Sequence, residues 1–318
     1  MLVDLFYFSS LNMNQLLSYI KKYFYELDKI HFSLTVLLTS GLIFLNYYFD
    51  IDYRIIHQDS FAARFFSRWG IFFTAFSLPY FFYRAVNKKN YFNNSLFILL
   101  LIVAPAIFAL KVAVAIRFPL SGNEYWNDYW NHVIFWPLLL SLFIAILFVI
   151  WKMYYGKETF FGATTKNFSW TPYLLFLLLM IPLITAASTQ PDFLTMYPKL
   201  QLISGIYNDA EITWWHKLLF ELSYGSDFIG IELFFRGFLI LAFVKWAGKD
   251  AILPMACFYC TIHFGKPLAE CISSFFGGII LGVVVYHTRS IVGGLLVHVG
   301  IAWLMELGGY FGALSTEH

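Results

Sequence analysis

Four ionisable side chains interrupt the apolar runs of the last third of the chain. Glu232 and Arg236 stand in Ile231-Glu232-Leu233-Phe234-Phe235-Arg236-Gly237, and His263 and His298 lie in two later apolar stretches. At membrane depth an ionisable group costs roughly 2.5–3.5 kcal/mol on insertion scales, so such groups need partners and mark function. Glu232 and Arg236 are four residues apart with the acid N-terminal, the favourable orientation for a helical pair. That pair is open to two readings: a buried ion pair that locks its helix in place, or a Glu232 oriented by Arg236 for chemistry. A Glu/His/His set suits zinc with an open position for water, making Glu232, His263 and His298 the candidate ligands. It equally suits metal-free hydrolysis, in which a glutamate activates water and a histidine supports the oxyanion.

The rest of the chain reads as the scaffold for these groups. It has 318 residues, 60% hydrophobic and only 13% charged, with a mean hydropathy of +0.68. Soluble domains carry about a quarter charged residues, so the composition predicts an integral, multi-pass membrane protein, placed in the cytoplasmic membrane if the source is prokaryotic. The net charge of +2 and the absence of a basic block exclude a nucleic-acid partner. Cys257 and Cys260 form a CxxC without a second pair and read as small core residues. His31, His57, His132, His216 and His287 fall at interfaces or loops.

The pattern predicts an all-α polytopic fold of about nine transmembrane helices, with the site-bearing core in the last four. Residues 1–31 form an N-terminal interfacial segment. Residues 32–187 carry five spans, near 32–49, 69–86 (kinked at Pro79), 95–116, 132–151 and 171–187. Lys111, near the end of the third, is expected to snorkel to the interface. Residues 188–216 form an extramembrane loop, and 217–318 carry spans near 227–247, 251–265, 268–286 and 290–310. The Lys/Arg bias favours a cytoplasmic N-terminus. Counted at 1.5 Å per residue, Glu232, His263 and His298 come to similar depth within about a turn or two. Gly277, Gly278, Gly282, Gly293, Gly294 and Gly300 let the last helices approach closely.

The motifs Glu232-Leu-Phe-Phe-Arg236-Gly, Tyr259-Cys-Thr-Ile-His263 and Arg289-Ser-Ile-Val-Gly-Gly-Leu-Leu-Val-His298 resemble, over roughly 220–312, the CPBP family of CAAX-processing and bacteriocin-processing (ABI) intramembrane proteases. The resemblance implies endoproteolysis of a membrane-anchored or lipidated protein, for example after a prenylated cysteine, by glutamate-activated water. It implies Glu232, Arg236, His263 and His298 as the catalytic set. The family's motifs are Glu-Glu-x-x-x-Arg, Phe-x-x-x-His and His-x-x-x-Asn/Asp. Here Ile231 replaces the first glutamate and Ala302 replaces the Asn/Asp. Either the acid has moved, with Glu270, Asp227 and Glu306 as candidates and Glu270 favoured, or the chain is a catalytically inactive membrane scaffold or lipid- or protein-binding relative. The expected partners are the bilayer and a membrane protein or lipidated peptide.

Overall fold

The computed structural model describes residues 12–166, 168–203, 206 and 212–316. Residues 1–11 of the expected interfacial segment, and 204, 205 and 207–211 of the expected loop, lie outside the described residues. The chain is 80% helical, and among the described residues there is no strand. An all-α polytopic membrane protein is therefore what the sequence encodes.

Thirteen helical segments are used below: α1 (Met13–Tyr25), α2 (Lys29–Phe49), α3 (Ile51–Ile56), α4 (Phe61–Asn87), α5 (Ser95–Ala113), α6 (Glu124–Tyr154), α7 (Thr171–Ala187), α8 (Pro191–Leu194), α9 (Trp214–Glu232), α10 (Val244–Ala247), α11 (Ile252–Thr261), α12 (Leu268–Thr288) and α13 (Val292–Thr316). Short polar side chains start many of them. Asn12, Asp28, Ser60, Asn94 and Asn123 each accept a backbone N–H of the first turn, satisfying donors that the helix leaves orphaned.

Among the described residues, five helices are long and apolar enough to cross a membrane: α2, α5, α6, α12 and α13 through Ala313. The other expected spans also fall on helices, but each departs from an uninterrupted apolar rod. The 69–86 span is the last two-thirds of α4, whose start carries Arg64 and Arg68. Helix α7 has 17 residues, about 26 Å of rise. The 227–247 span is made of three pieces, and 251–265 is the short α11 with the turn after it.

One aromatic core joins the N-terminal helices to the C-terminal ones. Phe72 and Phe76 of α4 and Phe108 of α5 pack with Phe234, Phe235 and Phe258. Two sequence expectations change here. His31 is buried rather than interfacial: it stacks on Tyr83 and its Nε2 bonds the Pro79 carbonyl at 2.9 Å. Lys111 does not snorkel but turns inward to Asp227 of α9, at 2.6 Å. Both polar groups find partners inside the bundle, which removes the need to reach water.

The segment after α7 is more ordered than a bare connection. Short α8 and the turns that follow bury Phe193, Tyr197 and Leu200. They lie across the far end of α13, where Gly308 and Gly312 face Ser188 and Gly309 faces Tyr197 and Pro198.

Candidate functional site

Glu232 is the last residue of α9. From Leu233 to Ala242 the helix widens into π turns. Such turns are rare and recur at functional sites. Within them Phe234, Phe235, Arg236, Phe238 and Leu239 have no exposed surface. The widened stretch still presents Glu232 and Arg236 to each other, with Arg236 Nη1 3.1 Å from Glu232 Oε1. The guanidinium lies over the Tyr259 ring, its carbon 3.9 Å from the centroid, a cation–π contact of the desolvated kind. None of its nitrogens meets an acceptor in hydrogen-bonding alignment among the described residues, so the pair is held by charge and stacking rather than by a bidentate fork.

His298, from the second turn of α13, completes the group. Its Nδ1 is 2.7 Å from Glu232 Oε1, and its Nε2 is 3.0 Å from the Tyr259 hydroxyl. With the carboxylate ionised, Nδ1–H donates to Glu232 and Nε2 accepts from Tyr259 O–H. A relay results: hydroxyl, imidazole, carboxylate, guanidinium. The edge of Phe228 packs on the imidazole. Gly294, one turn before His298, makes room for the acid: a Cβ there would stand 2.8 Å from Glu232 Oε2.

His263 stands beside this group rather than in it. It sits in the turn after α11, its Nδ1 3.0 Å from the Tyr259 carbonyl and its ring 4.7 Å from that of Tyr259. Nδ1–H donates to the carbonyl, which leaves Nε2 as an open acceptor. Tyr47 of α2 fixes the turn by donating to the Lys266 carbonyl at 2.6 Å. The Asp52 carboxylate, paired with Arg68, lies against Gly265.

The three further acids do not join Glu232. Asp227 is taken by Lys111. Glu270 accepts from the Tyr197 hydroxyl at 3.0 Å and faces Lys266 at 3.7 Å. Glu306 accepts the Lys199 backbone N–H at 2.7 Å. The two family positions that differ hold no polar group: Ile231 packs on the apolar core, and Ala302 is buried.

The donor set does not suit a three-ligand zinc. Glu232 Oε1 is shared by Arg236 and His298, and both nitrogens of His298 are hydrogen-bonded. That leaves two donors rather than three, Glu232 Oε2 and His263 Nε2, without a hydrogen-bond partner among the described residues. Among the described residues no three His, Cys, Asp or Glu side chains gather as metal ligands. A cavity of about 310 Å³ lies elsewhere, between Tyr155, Phe161 and Arg289 at the other end of α12.

Tyr259 is the residue that sequence reasoning left out of the site. Its signal was present, an aromatic with a hydroxyl one turn before His263, but an aromatic in an apolar helix reads equally as core.

The geometry can be set beside known proteins. Residues 214–304 match the family model of type II CAAX prenyl endopeptidase Rce1-like proteins. This region is similar to that family. The match covers α9 to the middle of α13, less than a third of the chain, and contains every residue of the relay. The chain is an integral membrane protein, and residues 214–304 are similar to CPBP-type intramembrane proteases. No curated protein and no solved structure matches it.

Proposed function

We propose that the chain is an intramembrane endopeptidase that cuts a lipidated, membrane-anchored protein near its C-terminus, and that it does so without a metal. The observation that supports this reading is the Glu232–His298–Tyr259 relay at the packed end of α9.

The side chain of Glu232 has no exposed surface, whereas that of His298 is 12% exposed. A carboxylate so enclosed acts through its neighbour. Glu232 therefore positions His298 and stabilises the imidazolium that forms when His298 takes a proton, much as a buried acid does in a catalytic triad. His298 Nε2 is the general base toward water, with the Tyr259 hydroxyl moving aside or passing the proton. His298 then delivers that proton to the leaving amine, and His263 Nε2, an open acceptor, orients the attacking water. Arg236 keeps Glu232 ionised by charge.

The test is turnover of an S-prenylated peptide by purified protein in lipid. His298→Ala is expected to lower kcat by about 100-fold to 10,000-fold, the range of one general base. Full turnover in both His298→Ala and Glu232→Gln would overturn the assignment. Excess chelator is expected to leave turnover unchanged.

A second reading rests on Ile231 and Ala302. Where the family places an acid and an amide or acid, this chain has a partly buried Ile231 and a buried Ala302, as a non-catalytic relative that binds the same lipidated partner would. Prenyl-peptide binding without cleavage would favour it.

A further inference from the structure

At the end of α12 opposite the His263 turn, the cavity of about 310 Å³ is walled by three elements. The end of α6 and the loop after it give Tyr155, Glu158, Thr159 and Phe161; the end of the π segment gives Leu241; the turn between α12 and α13 gives Arg289. These walls are tied to one another. The Tyr155 hydroxyl donates to the Ala242 carbonyl at 3.3 Å, and that of Ser290 to the Thr164 carbonyl at 2.5 Å. The Ile291 N–H donates to the Gly162 carbonyl at 3.0 Å. Gly162 has a φ of +76°, and a Cβ there would stand 2.6 Å from Leu241 and 3.1 Å from the Arg289 carbonyl. The frame of the cavity is therefore set by backbone contacts.

Two opposite charges line the space without meeting. Among the described residues, neither Arg289 nor Glu158 has an ion-pair partner. The Arg289 guanidinium lies 5.4 Å from the centroid of the Tyr286 ring. Lys245, which Glu158 attracts from a distance, keeps its ammonium 4.2 Å from the rings of both Tyr155 and Trp246. A guanidinium and a carboxylate held apart in one cavity complement a ligand that carries an anion and a cation of its own.

The bilayer supplies such a ligand at this level. The cavity lies where α6 and α12 end. Trp151 donates to the Glu158 carbonyl at 3.1 Å, and Trp246 stands beside Lys245, the kind of aromatic that settles at the headgroup boundary. Along α6, Phe148, Val149 and Met153 are 50%, 56% and 65% exposed, an apolar face for acyl chains. Phe148 packs on Phe160, and Phe160 on Phe161, so this face continues into the cavity wall.

We propose that the cavity binds the headgroup of one phospholipid of the phosphatidylethanolamine class, with Arg289 on the phosphate, Glu158 on the primary ammonium and the acyl chains along α6. The site is independent of the reaction at the relay. A phosphodiester offers Arg289 two acceptor oxygens. The ammonium offers Glu158 the N–H donors that a trimethylated choline headgroup lacks, although the two lipids have the same net charge.

Native mass spectrometry of the full-length protein, released from micelles holding equal amounts of phosphatidylethanolamine and phosphatidylcholine, tests the proposal. The wild type is expected to retain one ethanolamine lipid about tenfold over the choline lipid, the size of one charge-assisted hydrogen bond. Glu158→Ala is expected to bring that ratio toward one. Arg289→Gln is expected to weaken both lipids about tenfold, because both carry the phosphate. Thr159→Trp fills the cavity without changing its charge and is expected to lose the bound lipid; Thr159 is exposed, so the variant is expected to fold.

Equal retention of the two lipids by the wild type overturns the proposal, as does retention unchanged in folded Arg289→Gln and Thr159→Trp proteins. Full displacement of the lipid by an equal concentration of soluble phosphoethanolamine would assign the cavity to a free phosphate ester and overturns it too.

Discussion

At Glu232 two neighbours share one oxygen. Arg236 and His298 both address Oε1, and Oε2 has no hydrogen-bond partner among the described residues. The pair with Arg236 has a structural role, since neither side chain has exposed surface and each would be an uncompensated charge without the other. Its link to His298 is what a purely structural pair would not need. The two roles separate in a double-mutant cycle. Removing one member, as in Glu232→Gln, is expected to cost about 3–5 kcal/mol of stability. Glu232→Leu combined with Arg236→Met removes both charges, and its unfolding midpoint is expected to return most of the way to wild type while turnover stays abolished. A double variant that regains both stability and turnover would reduce the pair to a structural pin.

The widened segment from Leu233 to Ala242 and the start of α13 set the relay as elements. The sequence showed which groups shared a depth, because a helical rise converts residue number into height. On that basis Glu232 and His298 were legible as partners. The π turns were not, because no proline or glycine pair marks them in the sequence. The role of Tyr259 was hidden for a related reason: helical spacing tells which side chains share a face, not which one ends a hydrogen-bonded chain. Glycine positions offer a test at this scale. A methyl group at Gly294 would press on Glu232 Oε2 at 2.8 Å, whereas at Gly277 it would meet nothing within 4 Å. Both changes raise helix propensity by about 1 kcal/mol. Gly277→Ala is therefore expected to be neutral or stabilising and fully active. Gly294→Ala is expected to fold and to lose turnover at least tenfold, because the carboxylate must shift off His298. Equal turnover of the two would place Glu232 outside the reaction.

Across the whole molecule, the N-terminal helices do more than anchor the chain. They supply half of the aromatic core beneath the π segment, and Tyr47 and Asp52 hold the turn that carries His263. None of this was legible, because one sequence names the charged and aromatic residues but not which helices are neighbours. Asp227 shows the consequence. One turn before Ile231, it reads as a relocated acid, yet its partner is Lys111, 116 residues earlier. That ion pair ties α5 to α9, and its two ends differ: the side chain of Lys111 is 6% exposed and that of Asp227 21%. Lys111 also lies over the rings of Phe108 and Phe143, at 5.3 and 5.6 Å. Removing the acid strands an ammonium among aromatics with little access to water, whereas removing the lysine leaves a carboxylate that water can reach. Asp227→Asn is therefore expected to destabilise by about 3 kcal/mol, the low end for an orphaned buried charge. Lys111→Met, which keeps the volume of the side chain, is expected to cost less than half as much. Thermal unfolding of the two variants in the same detergent measures the difference. Turnover at a temperature where both are folded is expected to stay within about twofold of wild type, because the pair holds the helices and does not face the relay. A large loss of turnover in a fully folded Asp227→Asn protein would return Asp227 to the list of reacting groups.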